Sequence, residues 1–136
     1  MKEVLRDIVA YRIKTSRDTL SEIEIHLQNG FLATAMNRLY YAGFYMISAL
    51  ALLDKFPTSK HKQLIGWFNK EYLKTGIINP EKGKILRKAY ERRQSSDYHD
   101  FVTLTKSQIE EYYSKMKDFV NVVEEVVQEK LKNESA

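Results

Sequence analysis

The segment Glu91-Arg92-Arg93-Gln94-Ser95-Ser96-Asp97-Tyr98-His99-Asp100-Phe101 holds the chain's densest set of groups able to handle protons or phosphate. Arg92 and Arg93 are permanent cations whose planar guanidinium can hold phosphate through two parallel hydrogen bonds. His99 titrates near neutrality when unperturbed, which suits a general acid or base. Upstream, Leu86, Ala89 and Tyr90 recur at helical spacing, and the same stripe extended reaches Arg93 and then Asp97. Charges on a core-facing stripe are expensive unless paired, so Arg93 and Asp97 are expected to pair. Two readings are open at this point. In one, the pair only locks a helix end and His99 sits in an exposed loop. In the other, Arg93, Asp97, Tyr98 and His99 form a site with a fixed cation, a carboxylate that orients it, a phenol and an imidazole.

Other candidates are scattered. Arg38 interrupts a nearly uncharged stretch, either reaching solvent or a carbonyl, or lining the same cleft. His61 falls in the first turn of an expected helix, as a hydrogen-bonding histidine or a nucleotide contact. His26 follows Glu22 by four residues and reads as surface. Tyr41, with Tyr40, Tyr45, Tyr72, Tyr90, Tyr98, Tyr112 and Tyr113, could contribute to a base-stacking groove, although tyrosines at helical spacing are more often core or interface. Three separated histidines and no cysteine make no recognisable metal site. No Gly-rich phosphate loop is present. No metal or other cofactor is expected.

The elements that must position these groups are helices. Five Gly and two Pro in 136 residues favour long helices and short connections. The spacing predicts a first helix over 2–28, with Leu20, Ile23 and Leu27 facing the core and Asn29-Gly30 as its stop. A second covers 31–54 and is apolar all round through its centre, as the middle of a bundle or half of a subunit interface. Thr58 or Ser59 is expected to cap a third helix over 60–74. Asn79-Pro80-Glu81 starts a fourth, which fades at Ser95-Ser96. Thr105 and Gln108 form a capping box for a fifth carrying Ile109, Tyr112, Met116, Phe119, Val123, Val126 and Val127. The expected fold is one all-α domain over 1–136, an antiparallel up-and-down bundle of four to five helices.

Composition narrows the function classes. Absence of cysteine excludes disulfide scaffolds and thiol catalysis and fits a reducing compartment. The longest uncharged run, Leu39 to Leu53, is shorter than the roughly 18–20 residues needed to span a bilayer. A cytoplasmic protein with no membrane partner is expected. The net charge of +4 is uneven: residues 59–101 carry ten basic and five acidic side chains, which suggests a phosphate-bearing partner.

Three segments resemble the HEPN domains, in particular their small stand-alone prokaryotic members. Asn37-Arg38-Leu39-Tyr40-Tyr41-Ala42-Gly43-Phe44 is similar to the family's second-helix signature. Ser59-Lys60-His61-Lys62 followed by Trp67-Phe68 is similar to its Thr/Ser-x-His helix start. Arg93, Asp97, Tyr98 and Phe101 fall on its Arg-x-x-x-Asp-Tyr-x-x-Phe stretch. The resemblance implies a helical bundle that forms a homodimer and binds RNA or a nucleotide. It also implies, for many members, a metal-independent RNase of toxin type built on an Arg followed after four to six residues by His. Arg93 and Arg92 both satisfy that spacing to His99, so either could be the functional arginine. The alternative is a non-catalytic interaction or nucleotide-binding module partnered with a nucleotidyltransferase. Position 99 separates the two, because only the nuclease needs an imidazole there.

Overall fold

The second helix dictates the architecture. The computed structural model describes residues 2–56, 58–98 and 104–135, with side chains for all of these except 2, 94–98, 134 and 135. Its elements are α1 (Lys2–Gln28), α2 (Leu32–Leu53), α3 (His61–Phe68), α4 (Pro80–Tyr98) and α5 (Lys106–Ser135), with no strand among the described residues. Fourteen of the 22 residues of α2 are buried, from Ala35 to Leu53. Within a single chain it is thus the centre of the bundle. α1 and α5 cover it along most of its length, and α3 and α4 close the remaining side. A buried Ser16 hydroxyl donates to the Ala42 carbonyl at 2.6 Å, joining α1 to α2 at the middle of their contact.

Helix ends follow local chemistry. Gly30 is left-handed at φ +73°, the Phe31 amide bonds the His26 carbonyl at 2.9 Å and the Gly30 amide bonds Leu27 at 3.2 Å. This is the Schellman stop expected of Asn29-Gly30. The same pair of bonds ends α2, but there Lys55 occupies the left-handed position at φ 60°. Asn79 accepts from the Glu81 amide at 3.0 Å, and Pro80 opens α4. At α5 both arms of the capping box form: Gln108 N–H to Thr105 Oγ1 at 3.1 Å, and Thr105 N–H to Gln108 Oε1 at 2.9 Å.

Two features differ from expectation. The N-cap of α3 is Lys60, not Thr58 or Ser59; the Thr58 hydroxyl instead accepts from the Lys60 amide at 3.2 Å, one step upstream of the helix. The expected third helix also changes winding, because Asn69–Leu73 forms a π-turn that continues α3. The π-turn places Tyr72 to donate to the Asp54 carboxylate, which Lys130 Nζ meets at 2.9 Å. The end of α2, the π-turn and α5 are thereby tied together.

Thr105→Ala removes one arm of the capping box, and a stability loss of about 0.5–2 kcal/mol is expected. Lys55→Gly relieves a side chain in left-handed backbone, whose cost is about 1–2 kcal/mol before glycine's extra chain entropy is subtracted. Urea unfolding should therefore move its midpoint in opposite directions for the two variants, with the slope unchanged.

Candidate functional site

On one side of the bundle, aromatic residues of α2 meet the first turn of α3 and the last turns of α4. Helical spacing puts Tyr40 and Phe44 one turn apart on α2, with Tyr41 beside them. Tyr40 is fully buried. A buried hydroxyl needs a partner, since leaving one unsatisfied costs about 1–3 kcal/mol. The partner is His61 Nδ1, 2.7 Å from Tyr40 Oη. The His61 ring stacks on Phe44 at 4.3 Å between centroids and 17° between planes, and meets the edge of Tyr41 at 5.7 Å. Tyr90 of α4 completes the group, 5.5 Å from the Tyr40 ring.

Arg93 lies one turn beyond Ala89 on α4, where the apolar stripe of that helix runs onto α2. Its guanidinium carbon sits 5.1 Å from the centroid of Tyr40 and 5.7 Å from those of Tyr41 and Tyr90. The electron-rich ring faces attract the cation, each such contact being worth about 0.5–2 kcal/mol according to its desolvation. The guanidinium donors lie in its own plane, a fork geometry that suits a phosphate.

The cluster sets protonation states. Burial, and after it the neighbouring Arg93 cation, hold His61 below the ordinary imidazole value, so it is neutral near pH 7. Burial pushes the Tyr40 hydroxyl far above the ordinary phenol range; Arg93 opposes that shift, and Tyr90 and Tyr41 add to it. The site thus offers a fixed cation beside a neutral imidazole and a neutral phenol.

Comparison with known proteins gives the family of the chain. The profile of the HEPN domain family matches residues 9–126. A Thermotoga maritima protein named "UPF0332 protein" is 33% identical over 122 residues, covering 90% of this chain and 92% of the relative. A Methanocaldococcus jannaschii protein named "Putative toxin" is 29% identical over 109 residues, 80% of this chain and 74% of the relative. A second from that organism, under the same name, is 30% identical over 94 residues, 69% and 70% of the two chains. The chain belongs to the HEPN family.

In this HEPN protein, the structure brings Arg93, Tyr41 and His61 together. Arg92 is half-buried on the adjoining face of α4. Arg38 goes elsewhere: its guanidinium bonds Thr19 Oγ1 at 3.1 Å and lies 3.4 Å from the Glu22 carboxylate, both on α1. His26 lies 3.8 Å from the same carboxylate. The side chains of Asp97 and Tyr98, and all of His99 and Phe101, lie outside the described residues. Tyr40 and Tyr90 enter the sequence reading only among the tyrosines of a base-stacking groove, and Phe44 only within the family signature. The signal for Tyr40 and Phe44 is their i, i+4 spacing on α2, and that for Tyr90 is its place on the apolar stripe of α4; both read equally as core.

His61 links the cluster to stability. The folded protein keeps this imidazole neutral, whereas the unfolded chain takes up a proton near the ordinary pKa of about 6.5. The unfolded state then binds more protons, so the His61 contribution is present above that pH and is lost as pH falls through the lower native pKa. Urea unfolding of His61→Gln should show a shallower acid-side decline than wild type. By NMR, Arg93→Gln should raise the His61 pKa only part of the way to 6.5, because burial persists when the cation is gone.

Proposed function

We propose that this HEPN protein is a metal-independent endoribonuclease of toxin type, acting as a homodimer. The observation that carries the reading is Arg93, held over Tyr40, Tyr41 and Tyr90 beside the neutral His61. A base takes the proton of an RNA 2′-hydroxyl, and the freed oxygen attacks the adjacent phosphorus. The bond to the 5′-oxygen breaks, and an acid returns a proton to that leaving oxygen. The products are a 2′,3′-cyclic phosphate and a 5′-hydroxyl. Arg93 acts as the cation on the charged phosphorane, with Arg92 next to it on α4. His99, spaced from Arg93 as in the nuclease members, supplies one proton-transfer group, and Asp97 and Tyr98 support it. The second comes from the partner copy across a two-fold axis or from His61 of the same chain. The names of the Methanocaldococcus relatives agree with a toxin role.

Incubation of the purified protein with single-stranded RNA in EDTA tests this. Cleavage is expected to persist, to leave cyclic phosphate ends and to spare DNA, which lacks the 2′-hydroxyl nucleophile. His99→Ala should slow it about 10²–10⁴-fold, the usual worth of a proton-transfer group. Arg93→Ala should abolish it in a protein that still melts cooperatively. A His61→Ala loss of similar size would assign the second proton transfer to the same chain, and a small effect would assign it to the partner copy. Light scattering should give a dimer mass at micromolar concentration. No cleavage by wild type, with nucleotide or nucleotidyltransferase binding lost in Arg93→Ala and kept in His99→Ala, would replace this reading with the non-catalytic one.

A further inference from the structure

Beyond the ring cluster, α3 with its π-turn and the antiparallel α4 line an open cavity of about 510 Å³, inside the range of about 300–1,000 Å³ typical of small-ligand sites. Its walls are of two kinds. Ile65, Leu73 and Leu86 give it an apolar floor, and Lys74, Lys84, Arg87 and Lys88 stand around it against one carboxylate, Glu91. Lys84 also meets Glu81 at 2.8 Å, but both side chains are largely exposed, so that pair is weak. The hollow beside Phe56 and Trp67, by contrast, mixes Lys55, Lys62 and Lys70 with Asp54 and Glu71.

The π-turn shapes the far end. It turns Leu73 onto the backbone of Gly83, where a Cβ would come within 2.4 Å of Leu73 Cδ1. The near end lies on the side of the candidate site along both helices. Ile65 follows His61 by one helical turn, and Arg92 follows Lys88 by one turn, each a rise of about 6 Å. Lys84, Lys88 and Arg92 form an i, i+4, i+8 row that leads from the cavity to Arg92, the residue before Arg93.

We propose that this cavity seats a nucleotide of the RNA strand flanking the scissile phosphate, its base on the apolar floor and its phosphates on Lys84, Arg87 and Lys88. An apolar floor with a rim of one sign matches a ligand that is flat and apolar at one end and anionic at the other. The row of cations repeats on the scale of successive phosphates, and Glu91 at the edge of the cavity lies two residues before Arg93 on α4. The inference rests on the nuclease reading for the identity of the strand, but it is tested by binding alone.

The probe is a short single-stranded 2′-O-methyl RNA, which cannot be cut because its nucleophile is blocked, followed by fluorescence anisotropy across a salt series. Arg87→Glu with Lys88→Glu should weaken binding about tenfold or more. It should also flatten the salt dependence by about 1.4 in log–log slope, two phosphates at about 0.7 each for a single strand. Lys14→Glu with Lys115→Glu reverses the same charge on exposed lysines elsewhere and should bind as wild type. Ile65→Trp, which occupies the floor, should weaken binding and leave the salt slope unchanged. Equal weakening in both double variants, no weakening in Arg87→Glu/Lys88→Glu, or wild-type affinity in a folded Ile65→Trp protein would each overturn the proposal. Failure of wild type to cut ordinary RNA while this binding pattern holds removes the nuclease reading and leaves the subsite. Cleavage by wild type with unchanged binding in the charge-reversed variant does the reverse.

Discussion

A helix that is apolar around its whole circumference is stable in water only when other helices cover every side, and α2 is such a helix. The rest of the bundle answers that demand. α2 turns back along α1 after the tight stop at Gly30, α5 runs beside it in the same direction from the capping box at Thr105, with Met116 at Gly43 and Lys130 at Asp54, and α3 and α4 fill what remains. The helices that cover α2 are themselves amphipathic: Leu20, Ile23 and Leu27 of α1 and Ile109, Met116, Phe119 and Val123 of α5 are all buried against it. No helix among the described residues is long and apolar enough to cross a membrane. Protein, in this chain, does for α2 what lipid does for a spanning segment.

The candidate site grows out of the same constraint. Coverage of α2 includes Tyr40, whose hydroxyl cannot be left dry and unpaired, and the group that meets it is His61 at the start of α3. Once stacked on Phe44 and bonded to Tyr40, the imidazole is partly cut off from water and kept neutral. Arg93 arrives on the other side of the rings and strengthens that bias. Core packing therefore decides the protonation state of a residue able to do chemistry.

How much of this was legible in the sequence depends on the range of the interaction concerned. Stops and starts are local, so Asn29-Gly30, Asn79-Pro80 and the Thr105/Gln108 box were readable to within a residue or two. The Lys60 start of α3 was not, because Thr58 and Ser59 both look like caps and only the chain's path decides which amide they can reach. The π-turn at 69–73 left no mark either, since its winding is set by the tie between Tyr72 and Asp54 and by Leu73 packing on Gly83. At Arg93 the stripe correctly placed a cation at the edge of the core. Periodicity suggests a partner on the same helix, Asp97, whose side chain lies outside the described residues; it does not suggest the rings around the guanidinium, which lie partly on α2, about fifty residues away in sequence. Contacts between a cation and ring faces have no spacing rule that a single sequence can display.

The segments that carried the family resemblance are far apart in the chain, yet residues from all three, Tyr40, Tyr41 and Phe44, then His61, then Arg93, meet in one cluster. At those positions packing and chemistry share the same atoms. Tyr40 is at once a core residue, a ring under the guanidinium and the hydrogen-bond partner of the imidazole. A change there alters fold and site together, and the two effects separate only through a property such as the His61 pKa. The outer face of α4 obeys a different rule. Lys84, Arg87 and Lys88 are exposed, and their charge can change with little cost to the core. One helix thus carries two kinds of cation: Arg93, bound into the packing of the bundle, and an outer row answerable only to whatever anion it meets.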